Sequence, residues 1–248
     1  MRKDLKFAVL IDADNIPYAN ISGMMQEIAK YGIPTFKRIY GDWTKPTLKG
    51  WKTVLLENAI TPVQQYSYTT GKNSTDSAMI IDAMDILYSG KVDGFCLVSS
   101  DSDFTRLATR LRETGMHVIG MGEKKTPKPF IAACDKFIYL EIISPQDEPA
   151  ENVSTQKTKK AKKSIYEVDK NLIKFISSSI NDVADENGWA FLGEVGTLLL
   201  KKQPNFDPRN YGFEKLTPLI ASLKKFEIDE RESDNPNIKH IYIRNKQS

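Results

Sequence analysis

The alternation of strand-like and helix-like segments over residues 5–143 is the feature that most limits how this 248-residue chain can fold. Short apolar runs such as FAVLI and FCLV are typical of buried strands. Between them lie amphipathic segments that are typical of helices. Strands that alternate with helices form βαβ units, in which consecutive strands run parallel. The sequence therefore predicts an α/β fold with a doubly wound, mostly parallel, Rossmann-like sheet.

The predicted elements of this first domain, residues 1–143, follow one another in regular order. The third predicted helix is apolar on most of its faces and is therefore expected to be well buried. Strands are predicted at residues 7–12, 35–40, 61–66, 95–99, 117–122 and 136–142. Helices are predicted at residues 21–30, 48–58, 76–88, 104–113 and 130–135.

A change of composition at residue 144 predicts a second domain. Residues 144–164 have almost no large apolar side chain and include a run of lysines, so we interpret them as a flexible linker. A tether that binds a nucleic-acid backbone is the alternative interpretation. In residues 165–248, three helices followed by two strands predict a small winged helix-turn-helix domain. The helices are expected at 165–180, 189–201 and 214–224, and the strands at 226–229 and 240–244.

Composition restricts the classes of function. No apolar run reaches the roughly 18 residues of a membrane span, and the first residues lack a signal-peptide pattern, so we expect a cytoplasmic protein without a membrane partner. Cys96 and Cys134 lie in apolar surroundings and indicate buried thiols. With 2 histidines in the chain, a metal would depend on oxygen ligands and would be Mg²⁺ or Mn²⁺. The net charge of +3 does not by itself indicate nucleic acid.

Acidic residues stand where predicted strands end. Asp12 ends the first buried strand, Asp101 and Asp103 follow the fourth, and Asp76 begins the third helix. The carboxyl ends of parallel strands share one edge of the sheet, and sites of doubly wound folds form there. Convergent carboxylates repel one another unless protons or cations neutralise them. The set therefore predicts a divalent metal site.

Several of these acids also have a structural interpretation. Asp14 suits a turn, and Asp76 suits the positive end of a helix dipole. Ser102 or Asp103 is expected to cap the helix that follows. Asp82 lies deeper in the third helix, and we interpret it as structural or exposed.

A carboxylate-bound Mg²⁺ or Mn²⁺ suits phosphodiester chemistry, because such a cation polarises a phosphoryl oxygen and lowers the pKa of water. Basic and aromatic side chains are expected around the acids, and they favour single-stranded RNA, whose bases stack on aromatic rings. The candidate substrate-binding residues are Lys45, Lys72, Arg106 and Trp43. Further stacking candidates are Tyr40, Trp51, Tyr66 and Tyr68, although a Trp on an amphipathic helix is more often a core residue.

Three segments resemble the NYN domain, a branch of the PIN-like metal-dependent ribonucleases. They are IDADN at 11–15, TGKNSTDSAMIIDAMD at 70–85 and SSDSDF at 99–104, and they occur in the order of the family. The resemblance covers roughly residues 5–142. Many members carry a Lys-Gly-X-Asp motif where this chain has KNSTD at 72–76, which is one residue longer.

The resemblance implies a metal-dependent endoribonuclease. It implies that Asp12, Asp76, Asp101 and Asp103 are metal ligands and that Asn15 helps to order the site. Some relatives are thought to bind RNA without cutting it.

The segment YGFEKLTPLIASLKKFEI at 211–228, followed by HIYIR at 240–244, resembles the OST-HTH, or LOTUS, module. The resemblance covers residues 165–246 and implies a winged helix-turn-helix linked to RNA binding. Because this part of the chain is close to neutral, a protein partner for the module stays open as an alternative. The sequence also leaves open whether the chain forms a homodimer.

Three functions follow from these patterns. The favoured one is a metal-dependent endoribonuclease with a C-terminal RNA-binding or adaptor module. The second is a non-catalytic RNA-binding or scaffold protein that retains the acidic pocket. The third is a phosphatase with Asp12 as the nucleophile and Asp14 as the acid, which the spacing permits. The Thr of the familiar Asp-x-Asp-x-Thr phosphatase motif is absent, and this counts against the third function.

Overall fold

The computed structural model forms two compact units. The predicted linker lies outside the described residues except for Ser164, and Tyr68 and Lys72 lie outside them as well. Among the described residues, no helix has both the length and the apolar character that a membrane span requires. The structure describes residues 4–66, 74–143, 164–232 and 239–246.

A six-stranded sheet forms the centre of the first unit. Its strands are β1 (Lys6–Asp12), β2 (Ile33–Gly41), β3 (Thr61–Gln64), β4 (Gly94–Val98), β5 (His117–Gly122) and β6 (Lys136–Tyr139). The strand order is β3-β2-β1-β4-β5-β6, and all the pairs are parallel. The strand order reverses between β1 and β4. Doubly wound folds form their sites at such a point, beyond the carboxyl ends of the two strands. The predicted α/β class is confirmed.

Helices cover both faces of this sheet, which is why the strands are apolar on both sides. One core joins alternate residues of β1, such as Val9 and Ile11, to Met24 and Trp51. Met24 and Trp51 lie on the first two helices. The buried thiols predicted for the two cysteines are confirmed. The helices are α1 (Ile21–Ile28), α2 (Trp51–Glu57), α3 (Ser74–Tyr88), α4 (Thr105–Glu113) and α5 (Lys128–Ala133).

Helix α3 is less buried than its composition predicts. Met79, Ala83 and Ile86 are buried, and their spacing forms one stripe along the helix. Ile81 and Tyr88, in contrast, are 64% and 75% exposed. The prediction of burial on most faces is wrong, because the helix covers the sheet with one stripe and leaves apolar side chains on another face exposed.

Among its described residues, the second unit has three α-helices and a small antiparallel sheet, which agrees with the predicted winged helix-turn-helix. The sheet order is β7-β9-β8. A separate core includes Ile176, Val195, Leu219 and Ile243. The elements are α6 (Lys170–Val183), β7 (Ala190–Phe191), α7 (Leu192–Lys202), α8 (Leu216–Leu223), β8 (Phe226–Glu232) and β9 (Lys239–Asn245).

Helices α6 and α7 of the second unit begin later than the sequence predicts. Helix α6 begins at Lys170, not at residue 165, because the Asp169 carboxylate accepts a hydrogen bond of 2.8 Å from the backbone N–H of Leu172 and caps the helix there. Ala190 and Phe191, which were assigned to a helix, instead pair with β9. Pairing with a strand some fifty residues further along the chain is not visible in local periodicity.

Candidate metal centre

Asp12 ends β1 and is buried at the carboxyl edge of the sheet, where it is 1% exposed. Its Oδ1 accepts a hydrogen bond from the backbone N–H of Asp14 at 3.0 Å. Its Oδ2 accepts bonds from Asn15 Nδ2 at 2.6 Å and from Ser99 Oγ at 2.9 Å. Burial raises the pKa of Asp12, and the bonds from Asn15 and Ser99 oppose this rise. Three donors therefore fix the carboxylate.

Ser99 connects this carboxylate to the next strand end. Its hydroxyl donates to Asp12 and accepts a bond of 3.0 Å from the backbone N–H of Asp101. Ser99 directly follows β4 and is fully buried. Sequence reasoning did not include it among the site residues. The available signal was a small polar residue at the end of a buried strand, directly before the acids.

Asp101 begins the short 3-10 turn Ser102–Phe104, which leads into α4. Its Oδ1 accepts a hydrogen bond of 2.9 Å from the backbone N–H of Asp103. Asp101 therefore caps this 3-10 turn, whereas the sequence predicted a cap at Ser102 or Asp103, and Phe104 at the N-cap of α4 makes no side-chain cap bond. The 3-10 turn precedes the α-helix and moves the cap toward the strand.

The carboxylates of Asp76, Asp101 and Asp103 meet at this edge. Asp76 comes from the first turn of α3. One oxygen from each of the three residues lies within 4.8 Å of the other two. Burial and the negative charges of Asp12, Asp101 and Asp103 raise the pKa of Asp76 to about 6. The largest influences on Asp76 thus all disfavour its charged form.

This donor set fits a small divalent cation. Carboxylate oxygens are the ligands that Mg²⁺ and Mn²⁺ prefer. A cation would also relieve the repulsion that raises the pKa of Asp76. Asp12 is not one of the three residues that meet, and its direct ligation of a metal stays a prediction.

Lys45, Trp43 and Arg106 are the other predicted site residues that the structure describes. Lys45 Nζ is 3.8 Å from Asp14 Oδ1. Trp43 is half-buried. Arg106 is exposed in the first turn of α4, close in sequence to Asp103. Lys72 lies outside the described residues, so its contact with phosphate stays a prediction.

Two of the aromatic stacking candidates are core residues. Tyr40 is fully buried and Trp51 is 2% exposed, so neither ring has a free face for a base. The expectation that they stack on RNA is wrong, because Tyr40 lies within β2, opposite Asp12 of β1, and Trp51 lies on the sheet-facing side of α2.

Asp82 holds α3 against the sheet, which agrees with its structural interpretation. Arg38 Nη1 and the Tyr40 hydroxyl, both from β2, donate to its two carboxylate oxygens. Because Asp76 lies on the same helix, these bonds also help to position the candidate ligand.

A six-stranded parallel sheet with helices on its faces and carboxylates at its carboxyl edge fits a PIN-like α/β fold. The family model of the NYN domain matches residues 6–141, and that of the OST-HTH/LOTUS domain matches residues 163–238. The chain therefore belongs to the NYN family, with an OST-HTH/LOTUS domain after the NYN domain. The NYN domain belongs to the PIN-like nuclease superfamily, and the OST-HTH/LOTUS domain is an RNA-binding module.

Three solved structures are similar to parts of the chain. A Vibrio parahaemolyticus protein of unknown function is 20% identical over 56% of this chain and 94% of its own, with a TM-score of 0.48. An uncharacterized Nitrosomonas europaea protein is 29% identical over 40% of this chain and 93% of its own, with a TM-score of 0.31. A Chromobacterium violaceum protein is 36% identical over 31% of this chain and 82% of its own, with a TM-score of 0.26. No curated protein matches the chain.

Proposed function

We propose that the first unit is a metal-dependent endoribonuclease that hydrolyses phosphodiester bonds in single-stranded RNA. The observation that carries this proposal is the meeting of Asp76, Asp101 and Asp103 within 4.8 Å at the carboxyl edge of the sheet. Membership of a nuclease superfamily and the attached RNA-binding module support it.

In this proposal Asp76, Asp101 and Asp103 hold Mg²⁺ or Mn²⁺. The bound cation would supply polarisation of a phosphoryl oxygen and a lowered pKa for water. Asn15 and Ser99 keep Asp12 in place through their hydrogen bonds, and Asp12 adds negative charge next to the three ligands. Arg106, exposed in the first turn of α4 and three residues after Asp103 in the sequence, is suited to bind a substrate phosphate.

The geometry of Asp12 argues against the phosphatase. A nucleophilic carboxylate needs an oxygen that can reach phosphorus. Asp12 is 1% exposed, and both of its oxygens accept hydrogen bonds.

The second unit has side chains that suit RNA. On its sheet, the guanidinium groups of Arg231 and Arg244 lie 5.4 and 4.6 Å from the ring centre of Trp189. Arg231 also lies 4.0 Å from the ring of Tyr242. Unpaired bases stack on aromatic rings and on guanidinium planes, so this arrangement supports an RNA-binding role.

Cleavage of defined RNA substrates tests the proposal. We expect the purified chain to cut linear and circular single-stranded RNA with Mn²⁺ or Mg²⁺ and not with EDTA. Cutting of the circle identifies an endonuclease, because a circle has no end. An intact substrate with Mn²⁺ would favour the non-catalytic RNA-binding protein, and cleavage undiminished by EDTA would contradict the metal dependence.

A further inference from the structure

A groove of about 800 Å³ lies between α2 and the edge strand β3 of the first unit. Apolar side chains make up most of its lining, and two exposed lysines also line it. None of the described residues that line it is acidic. Its lining includes Trp43, Leu48, Lys49, Lys52, Leu55 and Ile60.

Trp43 forms a fixed wall at one end of the groove. Its indole Nε1 donates a hydrogen bond of 3.0 Å to the backbone oxygen of Val63 on β3. Its backbone N–H donates a bond of 3.0 Å to Gln64 Oε1. Gln64 in turn donates to Asp42 Oδ1 at 3.0 Å. The ring is therefore held in place before any ligand arrives, which reduces the entropy lost on binding.

This end of the groove lies at the same sheet edge as the acids. Trp43 follows the end of β2 and Gln64 ends β3, so both lie at the carboxyl edge. In the strand order β3-β2-β1, β3 is two strand spacings from β1, which is roughly 10 Å. Lys45, two residues after Trp43 in the sequence, has its Nζ 3.8 Å from Asp14 Oδ1, so the segment that carries Trp43 also reaches the acidic end of β1. A short stretch of single-stranded RNA spans such a distance.

We propose that the groove is a nucleotide-binding subsite, in which a base of single-stranded RNA lies against Trp43 and the apolar lining. Lys49 and Lys52 then bind the neighbouring phosphates. A nucleotide combines a flat apolar base with an anionic backbone, and this groove offers an aromatic wall, apolar side chains and cations without an acid. The inference rests on the proposed function in one respect, namely that RNA is the substrate.

Charge reversal of one lysine tests the subsite without any need for cleavage. Binding of labelled oligouridylate is measured by fluorescence anisotropy in EDTA, with the full chain carrying Asp101→Asn. Lys52→Glu should weaken binding about fivefold or more. It should also reduce the slope of log affinity against log salt concentration by about one, which corresponds to the loss of one phosphate contact. Lys91→Glu is the matched control, because Lys91 is an exposed lysine near the start of β4, at the opposite sheet edge. It should change the affinity less than twofold.

Crosslinking locates the bound base directly. RNA that contains 4-thiouridine should crosslink under ultraviolet light to the peptide with residues 43–56, which mass spectrometry identifies. The subsite would be overturned if crosslinks formed only in other parts of the chain. It would also be overturned if Lys52→Glu and Lys91→Glu weakened RNA binding equally. A dimer that Leu56→Asp dissociates in sedimentation would also overturn it, because a second copy would then occupy the groove. If groove crosslinks form and wild-type protein leaves RNA uncut, only the proposed catalysis fails.

Discussion

Asp76 shows how a single residue acts against stability at this site. The first turn of a helix normally favours a carboxylate. Here burial and four neighbouring acids outweigh that effect and raise the pKa of Asp76 to about 6. In the metal-free protein, the charged form of Asp76 therefore destabilises the fold at neutral pH. Such a cost is typical of a binding site, because a ligand is expected to offset it.

Asp76→Asn should therefore stabilise the metal-free protein at pH 7. The difference between the ordinary pKa of 3.8 and about 6 corresponds to ~3 kcal/mol, and solvent screening reduces it to roughly 1 kcal/mol. Between pH 3.8 and about pH 6, Asp76 is more often protonated in the folded wild type than in the unfolded chain. The free energy of unfolding of the wild type therefore falls as the pH rises through this range. Urea unfolding in EDTA at pH 4 and pH 7 measures the gain, which should appear at pH 7 only.

The matched control for this prediction is Asp85→Asn, since Asp85 is exposed on the same helix. It should change the free energy of unfolding by less than about 0.5 kcal/mol at both pH values. A destabilised Asp76→Asn protein at pH 7 would contradict the electrostatic account of the site.

At the scale of elements, α3 depends on polar contacts as well as on its apolar stripe. Asp82 accepts hydrogen bonds from Arg38 and from the buried Tyr40 hydroxyl. We expect Asp82→Ala to lower the free energy of unfolding by about 2–3 kcal/mol, because it leaves the Tyr40 hydroxyl buried without this acceptor. Urea unfolding measures this loss, and exposed Asp85→Ala on the same helix is the control.

The same substitution should also loosen the position of Asp76. Residues that orient a metal ligand typically change metal affinity by about 10- to 100-fold when they are replaced. A Mn²⁺ titration that follows the unfolding temperature should therefore show at least about tenfold weaker binding for Asp82→Ala. If a folded Asp82→Ala protein binds Mn²⁺ with unchanged affinity, the contacts of Asp82 with β2 are not needed to position Asp76.

Sequence patterns predicted the elements whose causes are local. The apolar runs located the parallel strands, and the acids after β1 and β4 followed from the rule for carboxyl ends. Features that depend on distant partners were missed. The link from Ser99 to Asp12 and the pairing of Ala190 with Ile243 join residues far apart in the sequence. No local pattern contains this information.

At the scale of the whole molecule, the chain joins a candidate catalytic unit to an RNA-binding module. Each unit has its own hydrophobic core. Two linked sites for one RNA raise the overall affinity through effective concentration, without new contacts. The module should therefore affect substrate binding more than the chemical step.

Removal of the module tests this division of roles. The fragment 1–143 contains the whole sheet of the first unit. It should retain kcat for single-stranded RNA within about threefold and raise KM about tenfold or more. Steady-state cleavage kinetics with Mn²⁺ measure both constants. The rise in unfolding temperature with Mn²⁺ shows that the fragment is folded. If such a folded fragment has the KM of the full chain, the module does not contribute to substrate binding.

The rate of single-stranded RNA cleavage in Mn²⁺, compared between wild type and Asp101→Asn, tests the central claim most directly. Asp101 supplies one of the three oxygens that meet, and Asn removes its charge with little change of shape. We predict a loss of at least about 100-fold, with Asp85→Asn retaining the wild-type rate. A folded Asp101→Asn protein that cleaves RNA within a few-fold of the wild-type rate would contradict the proposal that this acidic cluster binds the catalytic metal.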